Sequence, residues 1–435
     1  MRLLPLAFLS LIAVGTMLLM LPVAREGEGG TDLMTALFTS ASASTVTGLA
    51  TVDTGGYWSP VGQAIIAVLV ELGGIGIIGM TTVLGLFIGG RLGLRTRLVA
   101  QTDMHVVSLG DVGPLFKRVA ITMVLFQTAT AVILTLRYHL HYFDSFGYSL
   151  WHGVFDAIMA FNNAGFSLHA DSLTSYAGDY AVILPISVAV FAGAIGFPVL
   201  AELYKNWRHP ESWTIHTRLT VWGSLALLVA AAVVFVAVEW NNPATIGGLD
   251  PIDKIVSGVE AGVMTRSGGL NSFDWGQVEP ITTNIAIIMM FIGGGSASTA
   301  GGIKVTTFLL LAYVILAEIR GEEQVRIGVR AVNPRTIRTA LSIALIAVAL
   351  VTAGSMLLML FEEVAFATAL FESASAFGTV GLSTGVTAEV GLGGELVLIG
   401  LMFIGRVGTI TAASAFALRR RQARYHLPEE QPIIG

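Results

Sequence analysis

The chain has 435 residues, 54% of them hydrophobic and only 12% charged, with a formal net charge of −5. Soluble domains carry about 25% charged residues, so a water-solvated globule is excluded and lipid is the expected solvent. There is no cysteine, which rules out disulfides, thiolate metal sites and thiol nucleophiles.

Apolar segments of membrane-spanning length recur at 3–23, 60–89, 116–137, 179–203, 218–240, 280–317, 336–360 and 394–418. The first lacks an A-x-A-like cleavage end and reads as a retained helix, not a signal peptide. Eight crossings, an even number, leave both termini on one side. Inside each successive pair lies a shorter, less apolar stretch, at 33–45, 151–162, 253–266 and 364–378. These are too short to cross. They fit re-entrant segments, tolerated at membrane depth only where protein or a wet cavity surrounds them. Of the 24 Lys and Arg residues, 18 fall at Arg2, in the loops 90–118, 202–218 and 318–338, and in the tail 419–435. The positive-inside rule makes that side cytoplasmic, so the four short segments dip in from outside.

Those segments are copies of one pattern. They read FTSASASTVTGL (38–49), FDAIMAFNNAGF (155–166), VEAGVMTRSGGL (259–270) and FESASAFGTVGL (371–382). Each has an apolar anchor, a glycine ten residues on, then Leu or Phe. The glycines are Gly48, Gly165, Gly269 and Gly381, spaced by 117, 104 and 112 residues. Asp32, Ser149 and Asp253 lie six residues before the anchor, where an N-cap belongs; Ala365 holds that place in the fourth copy. The repeats are 1–89, 116–203, 218–317 and 336–418, each a span, a dip and a span (M1-P-M2), and 419–435 is a cytoplasmic tail. All four share one orientation, and parallel repeats relate by an axis along the membrane normal. The expected fold class is therefore an all-α integral membrane protein. Its eight transmembrane helices and four re-entrant pore helices form four parallel M1-P-M2 repeats around a central pore.

Convergence on an axis implies a chemistry. The C-terminal pole of each short helix carries partial negative charge, which favours a cation. Extended residues follow, and glycine lets carbonyls turn inward without a Cβ clash. Four such strands make a ring of carbonyl oxygens able to replace an ion's water. The candidate filter residues are Thr45, Val46, Thr47 and Gly48; Asn162, Asn163, Ala164 and Gly165; Arg266, Ser267, Gly268 and Gly269; and Gly378, Thr379, Val380 and Gly381. One such segment alone would be an ordinary loop with a turn glycine; four in register between spans are not.

The region 280–317 is too long for one crossing. As a single helix it would run about 57 Å, against about 30 Å of hydrocarbon. Its middle, IGGGSASTAGGIK, places Gly293, Gly294, Gly295, Ser296, Gly301 and Gly302 where a helix should break. Irregular backbone there must line water or protein, so 293–302 is either a gate across the inner pore or a small-residue packing site. Lys304 ends that loop and Arg406 lies inside the last span. Each faces the pore cavity as part of the gate, finds a partner, or snorkels to the cytoplasmic edge. The Arg266 side chain cannot point into a cation filter; Glu260, Glu372 or Asp156 behind it are the expected partners. Glu71 is expected to be an acceptor supporting its neighbours.

Three motifs are decoys. GIGIIG (74–79) sits in an apolar span with no preceding strand, so close packing explains it better than a dinucleotide. The glycine-rich loop lacks the G-K-[ST] of a phosphate loop. HLH (139–141), with Asp144 and His152, reads better as an interfacial cluster than as a metal site. No catalytic cluster is legible, so the chain is not expected to be an enzyme. No loop is long enough for a nucleotide-binding domain.

With TVTGL, NNAGFS, TRSGGLN, TVGLS, GGGSASTAGGIKV (293–305), FIGRVGT (403–409) and the ending PEEQPIIG, the chain resembles the Trk/Ktr/HKT superfamily of potassium transporters, specifically Ktr-type membrane subunits. The resemblance covers essentially the whole chain. It implies potassium uptake across the plasma membrane, with potassium bound by filter carbonyls and a gating loop at 293–302. It also implies a homodimer and a separate cytosolic ring that binds ATP or ADP. Sodium is a candidate activator, and no organic cofactor is implied. In relatives favouring sodium the first filter glycine is commonly serine; here it is Gly48. The competing reading is a sodium- or proton-coupled symporter.

Overall fold

The computed structural model describes residues 3–75, 112–328 and 330–408. The expected continuation of the second span to residue 89, most of the basic loop after it, the glycines at 76 and 79, the end of the last span and the tail 419–435 lie outside them.

Among the described residues the chain is mostly helical. In order it forms α1 (Leu3–Leu19), α2 (Leu33–Thr45), the one-turn α3 (Thr54–Tyr57), α4 (Pro60–Gly74), α5 (Val112–His141), α6 (Phe146–Asn162), α7 (Tyr180–Ile195) and α8 (Phe197–Asn206). Then come α9 (Ile215–Glu239), α10 (Pro251–Met264), α11 (Pro280–Phe291), α12 (Val305–Ile319), α13 (Pro334–Phe361), α14 (Phe366–Gly378) and α15 (Leu392–Phe403), with a π turn over Ile404–Gly408. A short hairpin, β1 (Arg326–Ile327) with β2 (Arg330–Ala331), joins α12 to α13. Hydropathy carries no signal for it.

Helix starts follow local chemistry. Asp32 accepts from the amides of Met34 and Thr35 and opens α2; Ser59 caps α4, with Pro60 in the first turn. Two expected caps are corrected. Ser145, not Ser149, caps α6, because that helix begins a turn earlier. Asp250 holds the cap position of α10 without a side-chain bond, which leaves Asp253 in the first turn. At α14 Ala365 stands at the cap and can offer no bond.

By length and composition, Lys117–His141, Ile215–Glu239 and Pro334–Phe361 are each able to cross a membrane. Helices α7 and α8 bend by 102° at a short break and together also qualify as a span. The break has a local cause: Gly196 takes φ +102, and Pro198 follows in the new first turn. The long apolar region 280–317 splits into α11 and α12 as its glycines require. Outward faces are greasy, with Leu125, Val233 and Leu345 all exposed, as hydrocarbon contact favours.

The interior inverts the pattern of a soluble core. The C-terminal halves of α2 and α14 are rich in Ser and Thr yet buried. Helix α2 packs on α1 and α4, α6 on α5 and α7, α10 on α9, and α14 on α13 and α15. Between these groups, α4 meets α6, α7 meets α10, α11 meets α14, and α15 returns to α2.

Candidate functional site

The segments after α2, α6, α10 and α14 meet in the middle of the molecule. A Cβ on Gly48 would overlap the backbone of Gly165, and one on Gly165 would come within 2.8 Å of Gly269. A Cβ on Gly269 would overlap the carbonyl of Val380, and one on Gly381 that of Thr47. The contacts run from first segment to second, second to third, third to fourth and fourth back to first. The four candidate strands are thereby brought together at their glycines, with the carbonyls of Thr47 and Val380 at two of the contacts.

Three strands leave their helices by one turn. Val46, Asn163 and Thr379 adopt left-handed conformation at the helix ends. The next amide bonds a carbonyl five residues back, Thr47 to Ser42, Ala164 to Met159 and Val380 to Ser375, at 2.8–2.9 Å. This satisfies carbonyls that a helix end otherwise strands. The third strand differs. Helix α10 ends at Met264, and the Met264 carbonyl receives the amides of Ser267, Gly268 and Gly269. In the first and fourth strands a serine side chain holds the glycine itself: Gly48 N donates to Ser42 Oγ (3.0 Å) and Gly381 N to Ser375 Oγ (3.2 Å). The sequence signal was the shared serine six residues before the glycine.

Carboxylates brace the strands that leave this centre. Glu372 accepts from Ser383 Oγ, Thr384 N and Oγ1, and Thr387 Oγ1, all within 2.9 Å. Glu260 accepts from Ser272 Oγ (2.9 Å), and Asp156 accepts from Tyr138 Oη (2.7 Å) and lies 3.6 Å from His169 Nε2. All three acids follow the apolar anchor of their copies, which was the available sequence signal. Glu71 accepts from Gln127 (2.9 Å) and from Asn162 Nδ2 (2.7 Å), the supporting role expected of it.

None of the three acids pairs with Arg266, which corrects that expectation. Arg266 is 4% exposed. Its Nη1 donates to the Ser224 carbonyl (3.0 Å), and its Nη2 donates to Ser224 Oγ and the Gly293 carbonyl (both 3.2 Å). Neutral oxygens on α9 and on the glycine-rich loop take the place of a carboxylate.

That loop doubles back between α11 and α12. Gly293 N donates to Ile303 O (2.8 Å), Gly295 N to Ala194 O (2.7 Å) and Thr299 N to Gly193 O (3.3 Å). The break between α7 and α8 thus holds it from one side. On the other it touches the central strands: Thr299 Oγ1 donates to Asn163 Oδ1 (2.8 Å), and a Cβ on Gly301 would overlap Thr379 Oγ1. Lys304 Nζ donates to Ala300 O (2.7 Å). Arg406 is buried in the π turn; its guanidinium donates to Thr299 O and to Gly73 O (2.8 Å) on α4. Both cations therefore find carbonyl partners. Gly293, Gly294, Gly295, Ser296, Gly301 and Gly302 all lie in this loop.

A bundle of helices with lipid-compatible outer faces around four strands that meet at their glycines has the form of a membrane transport protein. The TrkH family model, described as "Cation transport protein", matches residues 7–426, and the chain belongs to that family. It is 37% identical over 434 residues to Ktr system potassium uptake protein B of Bacillus subtilis, covering 100% of this chain and 96% of the relative. It is 30% identical over 437 residues to the potassium/sodium uptake protein NtpJ of Enterococcus hirae, covering 98% and 95%. The crystal structure of the potassium transporter TrkH from Vibrio parahaemolyticus superposes with a TM-score of 0.73 over 96% of this chain and 84% of that one. At 19% identity that likeness speaks to the fold. These relatives are transporters, and the chain is not an enzyme.

Proposed function

We propose that this protein carries potassium into the cell through a filter built from four parallel span–dip–span repeats around one pore. The observation that carries the reading is the closed circuit of Gly48, Gly165, Gly269 and Gly381. That circuit brings the backbones of the four strands into close approach, which supports a shared ring of main-chain carbonyls able to replace a cation's hydration shell. Eight crossings follow from the recurring apolar segments, cytoplasmic termini from the charge bias of the loops, and a plasma-membrane location from the resemblance to Ktr-type membrane subunits. Loop 293–302 is the gate: it lies against two of the strands and is held by Arg406. Two copies form a homodimer in the bilayer, and a separate cytosolic ring that binds ATP or ADP controls the gate. The names of the Ktr relatives support potassium as the cargo.

The second reading is a symporter in which sodium or protons drive uptake. The potassium/sodium name of the Enterococcus relative favours it. Potassium flux into liposomes, with and without sodium and with the pH gradient collapsed, separates the two. Gradient-driven potassium flux without sodium supports the conduit. Potassium accumulation driven by an imposed sodium gradient, or flux that stops when the proton gradient collapses, establishes coupling; flux that needs sodium but no sodium gradient marks sodium as an activator of the conduit.

A further inference from the structure

We infer that Arg266 is a positioning residue that couples ion occupancy of the filter to the state of loop 293–302. The inference rests on the filter and gate reading above. Arg266 belongs to both parts of the machine. Its main chain lies in the third strand, two residues past the end of α10. Its side chain holds the carbonyl of Gly293, where the helical path of α11 has just given way to the loop.

Three features make this more than packing. First, the guanidinium is buried with no ion-pair partner among the described residues. A buried cation is costly unless its donors are well satisfied, so the acceptors at Ser224 and Gly293 are strongly constrained to stay. Second, the third strand is the one that departs from the shared helix-end turn, with three amides gathered on the Met264 carbonyl. That departure carries the Arg266 side chain away from the centre and toward α9 and the loop. Third, the Gly293 carbonyl lies at a junction: the amide of the same residue bonds Ile303, which closes the base of the loop. Moving Gly293 therefore moves both ends of the loop.

The sign follows from charge. A potassium ion in the filter repels the guanidinium, as like charges in a low-dielectric setting must. Repulsion loosens the hold on Gly293 and favours release of the loop. A cation too large for the filter leaves the hold intact. By linkage, an open loop in turn favours potassium in the filter.

The absence of cysteine makes a clean test possible. Ser298→Cys places a single thiol on the half-buried crest of the loop. Its reaction with a membrane-impermeant maleimide is followed in the full-length protein in liposomes, in potassium or in choline. We expect potassium to speed labelling by about fivefold, the lower end of ordinary coupling between sites. Adding Arg266→Gln removes the charge and the bonds to Ser224 and Gly293 and should abolish that difference. Arg266→Lys keeps the charge but not the two-armed geometry, and it should shrink the difference. Ser224→Ala removes one acceptor and should also shrink it. These last two variants decide the question if Arg266→Gln fails to fold. A full difference retained in these variants overturns the inference, as does equal labelling in both salts without them. Failure of the gate reading is recognised separately, by loop shortening that leaves flux unchanged.

Discussion

Gly381 lies against the carbonyl of Thr47, so closely that a Cβ on the glycine would overlap the oxygen. The last of the four central strands thereby closes on the first, across more than 330 residues of chain. Gly381 has φ +96 and Gly48 has φ +93, a region that side chains enter at a cost of about 1–2 kcal/mol.

Gly48→Ser should therefore weaken discrimination of potassium over sodium, because the side chain crowds the carbonyl ring and its hydroxyl can bind the smaller ion. Serine at Gly165, Gly269 or Gly381 should lower potassium affinity by about tenfold, the equivalent of about 1.4 kcal/mol. Competitive potassium and sodium uptake into liposomes measures both. Wild-type affinity and selectivity in all four variants would remove the filter assignment.

Shortening 293–302 should raise basal flux and leave ion preference unchanged. Arg406→Ala should do the same in milder form, since it frees the Thr299 carbonyl but leaves the loop's bonds to Ala194 and Gly193. Lys304→Ala, which loses the bond to Ala300, should shift flux without altering selectivity. A folded, inserted loop-shortened protein with unchanged flux in liposomes refutes the gate.

The hydroxyls of Ser42 and Ser375 should hold the first and fourth glycines in place. Ser42→Ala or Ser375→Ala leaves a buried amide without its partner, at a cost of about 1–3 kcal/mol. Each change should lower the thermal midpoint in detergent, and added potassium should recover part of the loss if the ion binds the same strands. Melting curves identical to wild type would show that these bonds carry no weight.

The caps offer a test with opposite signs. Asp32→Ala should destabilise by about 1 kcal/mol, whereas Ala365→Asp should stabilise by a similar amount. The amide of Thr35, ahead of other bonds, holds the Asp32 carboxyl below its ordinary pKa. Its contribution is complete above the ordinary carboxylate pKa and is lost as pH falls through the lower folded value. Thermal midpoints at neutral pH and near pH 3 should thus differ more for wild type than for Asp32→Ala. Equal differences would rule the cap out as a source of acid sensitivity.

The cytosolic partner is tested at the chain's end. ATP on the proposed ring should raise flux relative to ADP, as the resemblance to Ktr-type membrane subunits implies; a ligand can shift a two-state loop only through differential affinity for its states. Deleting 428–435 should weaken the dimer or the docked complex. A purified chain that conducts identically with and without any cytosolic partner, and never co-purifies with one, would contradict this.

Much of the architecture was written in local sequence. The glycines at 48, 165, 269 and 381 were legible because a close backbone approach leaves no other residue type. The break at 293–302 was legible because five glycines cannot sustain a helix in the middle of a run too long to span. Cap positions were less secure: Ser145 and Asp250 open their helices in place of Ser149 and Asp253, because several polar residues lay within one turn. Only the tertiary structure decided where Arg266 points. Sequence logic sought a carboxylate for a buried cation, and Glu260, Glu372 and Asp156 were near in register. In the fold those acids face the outgoing strands, while carbonyls from Ser224 and Gly293, 42 and 27 residues away, reach the guanidinium. A helix end or a glycine turn is dictated by its neighbours in the chain. The partner of a buried charge is set by which oxygens the packing brings within reach, and that is a property of the whole bundle.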